Sequence, residues 1–144
     1  MKISATVIVT LSAAVAISAC SSKGYADDGY YSSKSDSTAK IVTKTDTQYG
    51  EVFATNAGLT LYTFTKDTAG TSNCYGGCAV NWPPFAASKE AKEWGAFTKV
   101  ERNDGSLQWA YNNQPLYRWI GDQNKGDAFG QGVGNVWYVL NTPK

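Results

Sequence analysis

The stretch Leu61-Tyr62-Thr63-Phe64-Thr65-Lys66-Asp67 returns, altered, as Leu116-Tyr117-Arg118-Trp119-Ile120-Gly121-Asp122. Both copies read Leu-Tyr-x-aromatic-x-x-Asp, 55 residues apart. The same shift, with no gap, pairs Thr43 with Thr98, Lys44 with Lys99, Asp46 with Glu101, Gly50 with Gly105, Gly77 with Gly132 and Trp82 with Trp137. Internal self-similarity on this scale fixes architecture before any local propensity does. Two copies are too few for a solenoid. They read as two halves of one domain, residues 41–95 and 96–144, related by a pseudo-twofold axis.

The 144 residues suffice for one domain. Apolar residues are 42% and aromatics 13%, enough for a packed core. There is no histidine, which removes Ser-His-Asp and Cys-His catalysis, imidazole metal sites and the usual near-neutral proton shuttle. Lys plus Arg number 13 against 12 Asp plus Glu, so charge does not steer the chain toward nucleic acid.

Residues 1–19 start Met1-Lys2 and continue as an apolar run from Ile3 to Ala19, the shape of an export signal. The run ends Ile17-Ser18-Ala19-Cys20, which resembles the lipobox of bacterial lipoproteins. That resemblance implies cleavage before Cys20 and acylation of its sulfur. The protein would then be moored to the membrane by lipid, since several buried acyl chains hold a protein at about 0.8 kcal/mol per CH₂. By resemblance to Gram-negative lipoproteins, Ser21 in place of Asp implies the outer membrane if the cell is Gram-negative. Residues 20–40 are rich in Ser, Lys, Asp, Gly and Tyr, with no apolar period, and read as a flexible tether.

Beyond the tether the chain reads as β. Ile41–Thr45, Val52–Thr55, Leu59–Thr65 and their partners Phe97–Glu101, Leu107–Tyr111 and Pro115–Ile120 are strand-like runs, and Val136–Leu140 is a closing strand. Asn103-Asp104-Gly105 and Asn112-Asn113 are hairpin turns. Along Leu59–Thr65, Leu61 points to one face and Tyr62 and Phe64 to the other, so this strand is expected to be covered on both sides. One short helix is expected at Ser88–Trp94, with Ser88 as N-cap. The fold class is therefore all-β: antiparallel hairpins in two pseudo-symmetric repeats forming one small domain.

These motifs carry a resemblance. Tyr62-x-Phe64-x-x-Asp67 and Tyr117-x-Trp119-x-x-Asp122 resemble those of predicted bacterial lipoproteins with a Tyr-x-(Phe/Trp/Tyr)-x-x-Asp motif, also described as a secreted repeat of unknown function. Cys74-x-x-x-Cys78 followed by Trp82-Pro83-Pro84, Gln114-Pro115-Leu116-Tyr117, and the run from Gly126 to Gly132 look like the same family. The resemblance implies an envelope protein and brings no catalytic residue.

Cys74 and Cys78, an even pair in an exported domain, read as a structural disulfide, with a redox-active pair as the alternative. Asp67 and Asp122 follow the motif strands, where an Asp caps a turn or accepts from a tyrosine hydroxyl. The competing reading is an acid–base pair acting on cell-wall glycans. The 122–127 segment is calcium-loop-like in its oxygens but lacks the bidentate Glu and reads as a turn. Among the tryptophans, Trp94 and Trp109 are the candidates for an exposed binding platform. No cofactor and no metal site is expected. The leading functional expectation is a non-catalytic envelope lipoprotein, a binding or structural module whose partner is an envelope protein or glycan. A redox accessory using Cys74 and Cys78 is the alternative.

Overall fold

The computed structural model describes residues 41–144. The expected export signal (1–19), the expected lipidation site Cys20 and the expected tether (20–40) lie outside the described residues. Among those described, no helix is long and apolar enough to cross a membrane.

The strands are β1 (Val42–Thr47), β2 (Gly50–Thr55), β3 (Tyr62–Phe64), β4 (Ala86–Ala87), β5 (Phe97–Glu101), β6 (Leu107–Tyr111), β7 (Gln114–Pro115) and β8 (Trp137–Val139). Every named pairing is antiparallel. The domain is all-β, as the residue pattern implies. The short helix is α1, Gly77–Asn81, with one 3₁₀ turn at Val133–Asn135.

The two repeats meet at Tyr62 and Tyr117. The Tyr62 N–H donates to the Tyr117 carbonyl at 2.9 Å, and the Tyr117 N–H returns the bond to the Tyr62 carbonyl at 2.9 Å. Two residues that exchange both bonds sit across a local twofold axis of an antiparallel ladder. Here they are also the equivalent residues of the two repeats, so the pseudo-twofold passes between them. The ladder grows symmetrically outward. Tyr62 faces Val139 on its other side, and Tyr117 faces Pro84. Thr65 donates to Val136, and at the matching position Ile120 donates to Asn81.

Neither repeat completes its own sheet. The β1–β2 hairpin of the first takes a strand from the second, through Phe53 N–H to the Leu140 carbonyl at 2.8 Å. The β5–β6 hairpin of the second takes β4 of the first, with Ala86 opposite Gln108 and the Trp109 N–H on the Phe85 carbonyl. The halves are interlocked by exchanged strands.

The gapless shift conceals two compensating offsets. The first hairpin turns through Gln48-Tyr49 between Thr47 and Gly50, whereas its counterpart turns through Asn103-Asp104-Gly105 between Arg102 and Ser106. Val52 therefore faces Thr45, but Gln108, not Leu107, faces Val100. A one-residue slip reverses every side chain. The next turns cancel it: Asn56-Ala57-Gly58 in the first half, and the tight Asn112-Asn113 turn, with φ of 48° and 63°, in the second. Asparagine tolerates that left-handed pair of dihedrals, which a two-residue hairpin needs.

Alternation along the ladder builds two cores. Tyr62 and Tyr117 point into one, with Val52, Cys74, Trp82, Ala128, Trp137 and Val139. Leu61 and Leu116 point into the other, with Phe97 and Trp109. The motif strand is thus covered on both faces, as its residues dictate.

Three expectations fail. The motif strands are shorter than Leu59–Thr65 and Pro115–Ile120: β3 spans Tyr62–Phe64, and the second copy pairs at Gln114–Pro115 and then only through isolated bridges at Tyr117. Residues 88–94 form a turn, not a helix. The Ser88 hydroxyl does accept the Ala91 N–H, at 3.1 Å, but Trp94 and Phe97 exchange backbone bonds and Glu93 accepts the Lys99 N–H. Tertiary pairing takes the backbone that helix propensity alone would coil. Trp109 is not exposed: it is fully buried, since β6 is covered on both sides. Trp94 is half-buried and stacks on Phe97 at 4.5 Å.

Candidate functional site

Four residues of the repeated motif converge beside the pseudo-axis, and they do so crosswise. Tyr62 of the first repeat donates its hydroxyl to Asp122 Oδ2 of the second. Tyr117 of the second donates to Asp67 Oδ2 of the first at 2.7 Å. The other carboxylate oxygens accept backbone N–H groups. Asp67 Oδ1 takes Asn73 at 2.7 Å, and Asp122 Oδ1 takes Phe129 at 3.0 Å. Both roles expected of these aspartates, turn cap and tyrosine acceptor, are filled at once.

Burial pushes the Asp67 and Asp122 carboxyls above the ordinary carboxylate range, against the lowering effect of the tyrosine and backbone donors. Burial, with the neighbouring carboxylate, pushes the Tyr62 hydroxyl well above the usual phenol range. The Tyr117 hydroxyl rises likewise, burial again being the largest cause.

Against these tyrosines lies a column of rings. Trp82 and Trp137, equivalent residues, stack at 3.9 Å and 4°. Phe64 stacks on Trp137 at 4.2 Å, and Trp119 packs on Trp82 at 4.3 Å, tilted by 35°. Each end ring belongs to the opposite repeat from the tryptophan it covers. Tyr62 meets Trp82 edge-on at 5.3 Å, and Tyr117 meets Trp137 at 5.0 Å. Gly130 lets the chain pass this column. A Cβ there would lie 2.6 Å from Trp82 and 2.9 Å from Tyr62.

Cys74 and Cys78 form a disulfide. Cys74 is fully buried. The loop they close is clamped to the second repeat by Arg102, a residue without a sequence signal, because it adjoins a polar turn and reads as surface. Arg102 is 4% exposed, and its guanidinium donates to Ser72 Oγ at 2.8 Å, Gln108 Oε1 at 2.6 Å and the Cys74 carbonyl at 2.8 Å. It also lies 4.4 Å from the Tyr75 ring centroid. Ser72 Oγ sits 2.7 Å from the Tyr117 hydroxyl, so a polar chain runs from Arg102 through Ser72 and Tyr117 to Asp67. In the second repeat Phe129 and Val133 stand where the cysteines would, and both are exposed.

The 122–127 segment closes as a turn on its own acid. Asp127 Oδ2 accepts the N–H groups of Gln123 and Asn124, which holds that carboxyl below its usual range. Among the described residues, no group of three or more His, Cys, Asp or Glu side chains is placed to hold a metal ion.

A family profile described as a secreted repeat of unknown function matches residues 43–86 and 98–141, the two repeats the motif defines. No curated protein and no solved structure matches the chain. With the profile covering both repeats and more than half of the sequence, the chain belongs to the family of that secreted repeat.

Proposed function

We propose that this protein is a non-catalytic module of the cell envelope, held to the membrane by lipid on Cys20. It serves there as a binding or structural unit for an envelope protein or glycan. The observation that carries this reading is the crossed Tyr–Asp clasp. Asp67 and Asp122 are the acids of the repeated motif, and every one of their oxygens accepts a bond from the fold itself. An acid–base pair needs a free oxygen within reach of substrate. The motif is then repeated because the clasp is made twice.

A surface for contact exists beside the clasp. Val80, Ile120 and Phe129 are 66%, 54% and 64% exposed. Ile120 bonds to Asn81, next to Val80, and Phe129 bonds to Asp122. Cys74 is fully buried and Cys78 partly so, which favours a staple over a redox pair, since thiol exchange requires access to sulfur.

The test is incubation of the mature protein with purified cell-wall sacculi. The expected result is no soluble fragment released. Release that Asp67→Asn or Asp122→Asn abolishes, in variants that stay folded, would replace this reading with the glycan-active one. In cells, an alkynyl fatty acid should label the full chain and not its Cys20→Ser variant.

A further inference from the structure

The ring column and the clasp together have a chemistry that neither binding nor scaffolding uses. Trp119, Trp82 and Tyr62 form an unbroken contact path. Trp119 lies 4.3 Å from Trp82, and Trp82 lies 5.3 Å from Tyr62, centroid to centroid. Trp119 is half-buried, whereas Trp82 is buried and Tyr62 fully so. The opposite end of the column is Phe64, a ring far harder to oxidise than an indole, so the column is open to oxidation from the Trp119 end.

The far end of the path is built for a proton as well as an electron. A phenol that loses an electron becomes strongly acidic and needs an acceptor already in place. Tyr62 has one, because its hydroxyl donates to Asp122 Oδ2. Its oxygen in turn accepts the Gly130 N–H at 3.2 Å. Asp122 keeps its remaining oxygen on Phe129, so the carboxylate stays fixed while Oδ2 takes up the proton.

We infer that Trp119, Trp82 and Tyr62 form a one-electron relay that accepts an oxidising equivalent from an oxygen-centred radical at the surface and holds it on Tyr62. In the step, the radical takes one electron from the Trp119 indole and becomes its anion. The vacancy passes to Trp82 and then to Tyr62. There the O–H bond breaks, a bond from Asp122 Oδ2 to that proton forms, and a neutral phenoxyl radical faces a neutral carboxylic acid. One electron has left the protein and one proton has moved within it. The inference is independent of the binding reading.

The test is flash oxidation of the mature protein with photogenerated ruthenium(III) tris-bipyridine, followed by transient absorption and high-field electron paramagnetic resonance. The expected result is an indole radical that converts to a phenoxyl radical. Its g-tensor should show a strong hydrogen bond, returned by the protonated Asp122. Tyr62→Phe and Trp119→Leu should each lose most of the phenoxyl signal, and Tyr117→Phe should keep it, because Tyr62 touches Trp82 directly whereas Tyr117 is reached only through Trp137. A wild-type radical without that hydrogen bond, as on exposed Tyr49 or Tyr138, would overturn the inference. That measurement needs no variant to fold. A phenoxyl yield unchanged in folded Trp119→Leu would overturn it equally.

Discussion

The hydroxyl of Tyr62 is bonded to the carboxylate of Asp122, sixty residues on and in the other repeat, and not to Asp67 in its own. Tyr117 and Asp67 repeat the relation in reverse. Each motif therefore supplies half of two bonds, and the halves hold each other.

Breaking one clasp leaves a buried acid without its donor. Tyr62→Phe should lower stability by about 1–3 kcal/mol, the usual cost of an unsatisfied buried group. In a double-mutant cycle, Tyr62→Phe with Asp122→Asn should show coupling of about 0.5–3 kcal/mol, as contacting groups do. Tyr62→Phe with Asp67→Asn should show much less. Denaturant unfolding of the three single variants and the two pairs measures this.

The clasp also sets a pH dependence. The folded carboxyls of Asp67 and Asp122 lie above their unfolded values. Their stabilisation is fully present below the ordinary carboxylate range and is lost as pH rises through the raised folded value. The stability advantage of wild type over Asp122→Asn should thus grow as pH falls from neutral toward 4. The two tyrosines are raised as well, so they favour the fold below the usual phenol range and destabilise it as strong base forces them to ionise. Phenolate absorbance should show Tyr62 and Tyr117 silent until unfolding.

Arg102 and the disulfide act on one loop. Arg102→Met strips the donors from Ser72, Gln108 and the Cys74 carbonyl, and should cost about 2–4 kcal/mol, as a broken buried network does. Reducing Cys74–Cys78 removes a short closed loop, worth about 2 kcal/mol in the chain-entropy account. Melting of each form, with and without reductant, separates the two contributions.

Gly130→Ala places a methyl against two rigid rings. Overpacking of this kind should cost about 1–3 kcal/mol. Near-ultraviolet dichroism should also change, because Trp82 must shift within the column.

How much of this the residues declare varies with the range of the interaction. The strands, the two-faced motif and the turn at Asn103-Asp104-Gly105 follow from local pattern. Phe97–Glu101 and Leu107–Tyr111 appear with the bounds the pattern gives them. The crossing of the tyrosines is not local. Whether Tyr62 meets Asp67 or Asp122 depends on which strands are neighbours across the axis. The helix was misplaced for a related reason: Lys89-Glu90-Ala91-Lys92-Glu93 has helical propensity, while α1 begins at Gly77 inside a disulfide loop that propensity does not favour. The burial of Gln108 within β6 is not local either, since a polar residue there is buried only because Arg102 and the Leu116 carbonyl satisfy it. Arg102 stands beside a polar turn and carries no local signal of its burial.

The interlocking of the repeats is tested most directly by making them apart. Peptides 41–95 and 96–144 should each be unstructured alone, because each lacks the strand its hairpin borrows. Mixed in equal amounts, they should recover the dispersed amide spectrum and cooperative melting of the intact domain. A half that folds cooperatively by itself, unchanged by addition of the other, would contradict the exchange of strands and the crossed clasp together.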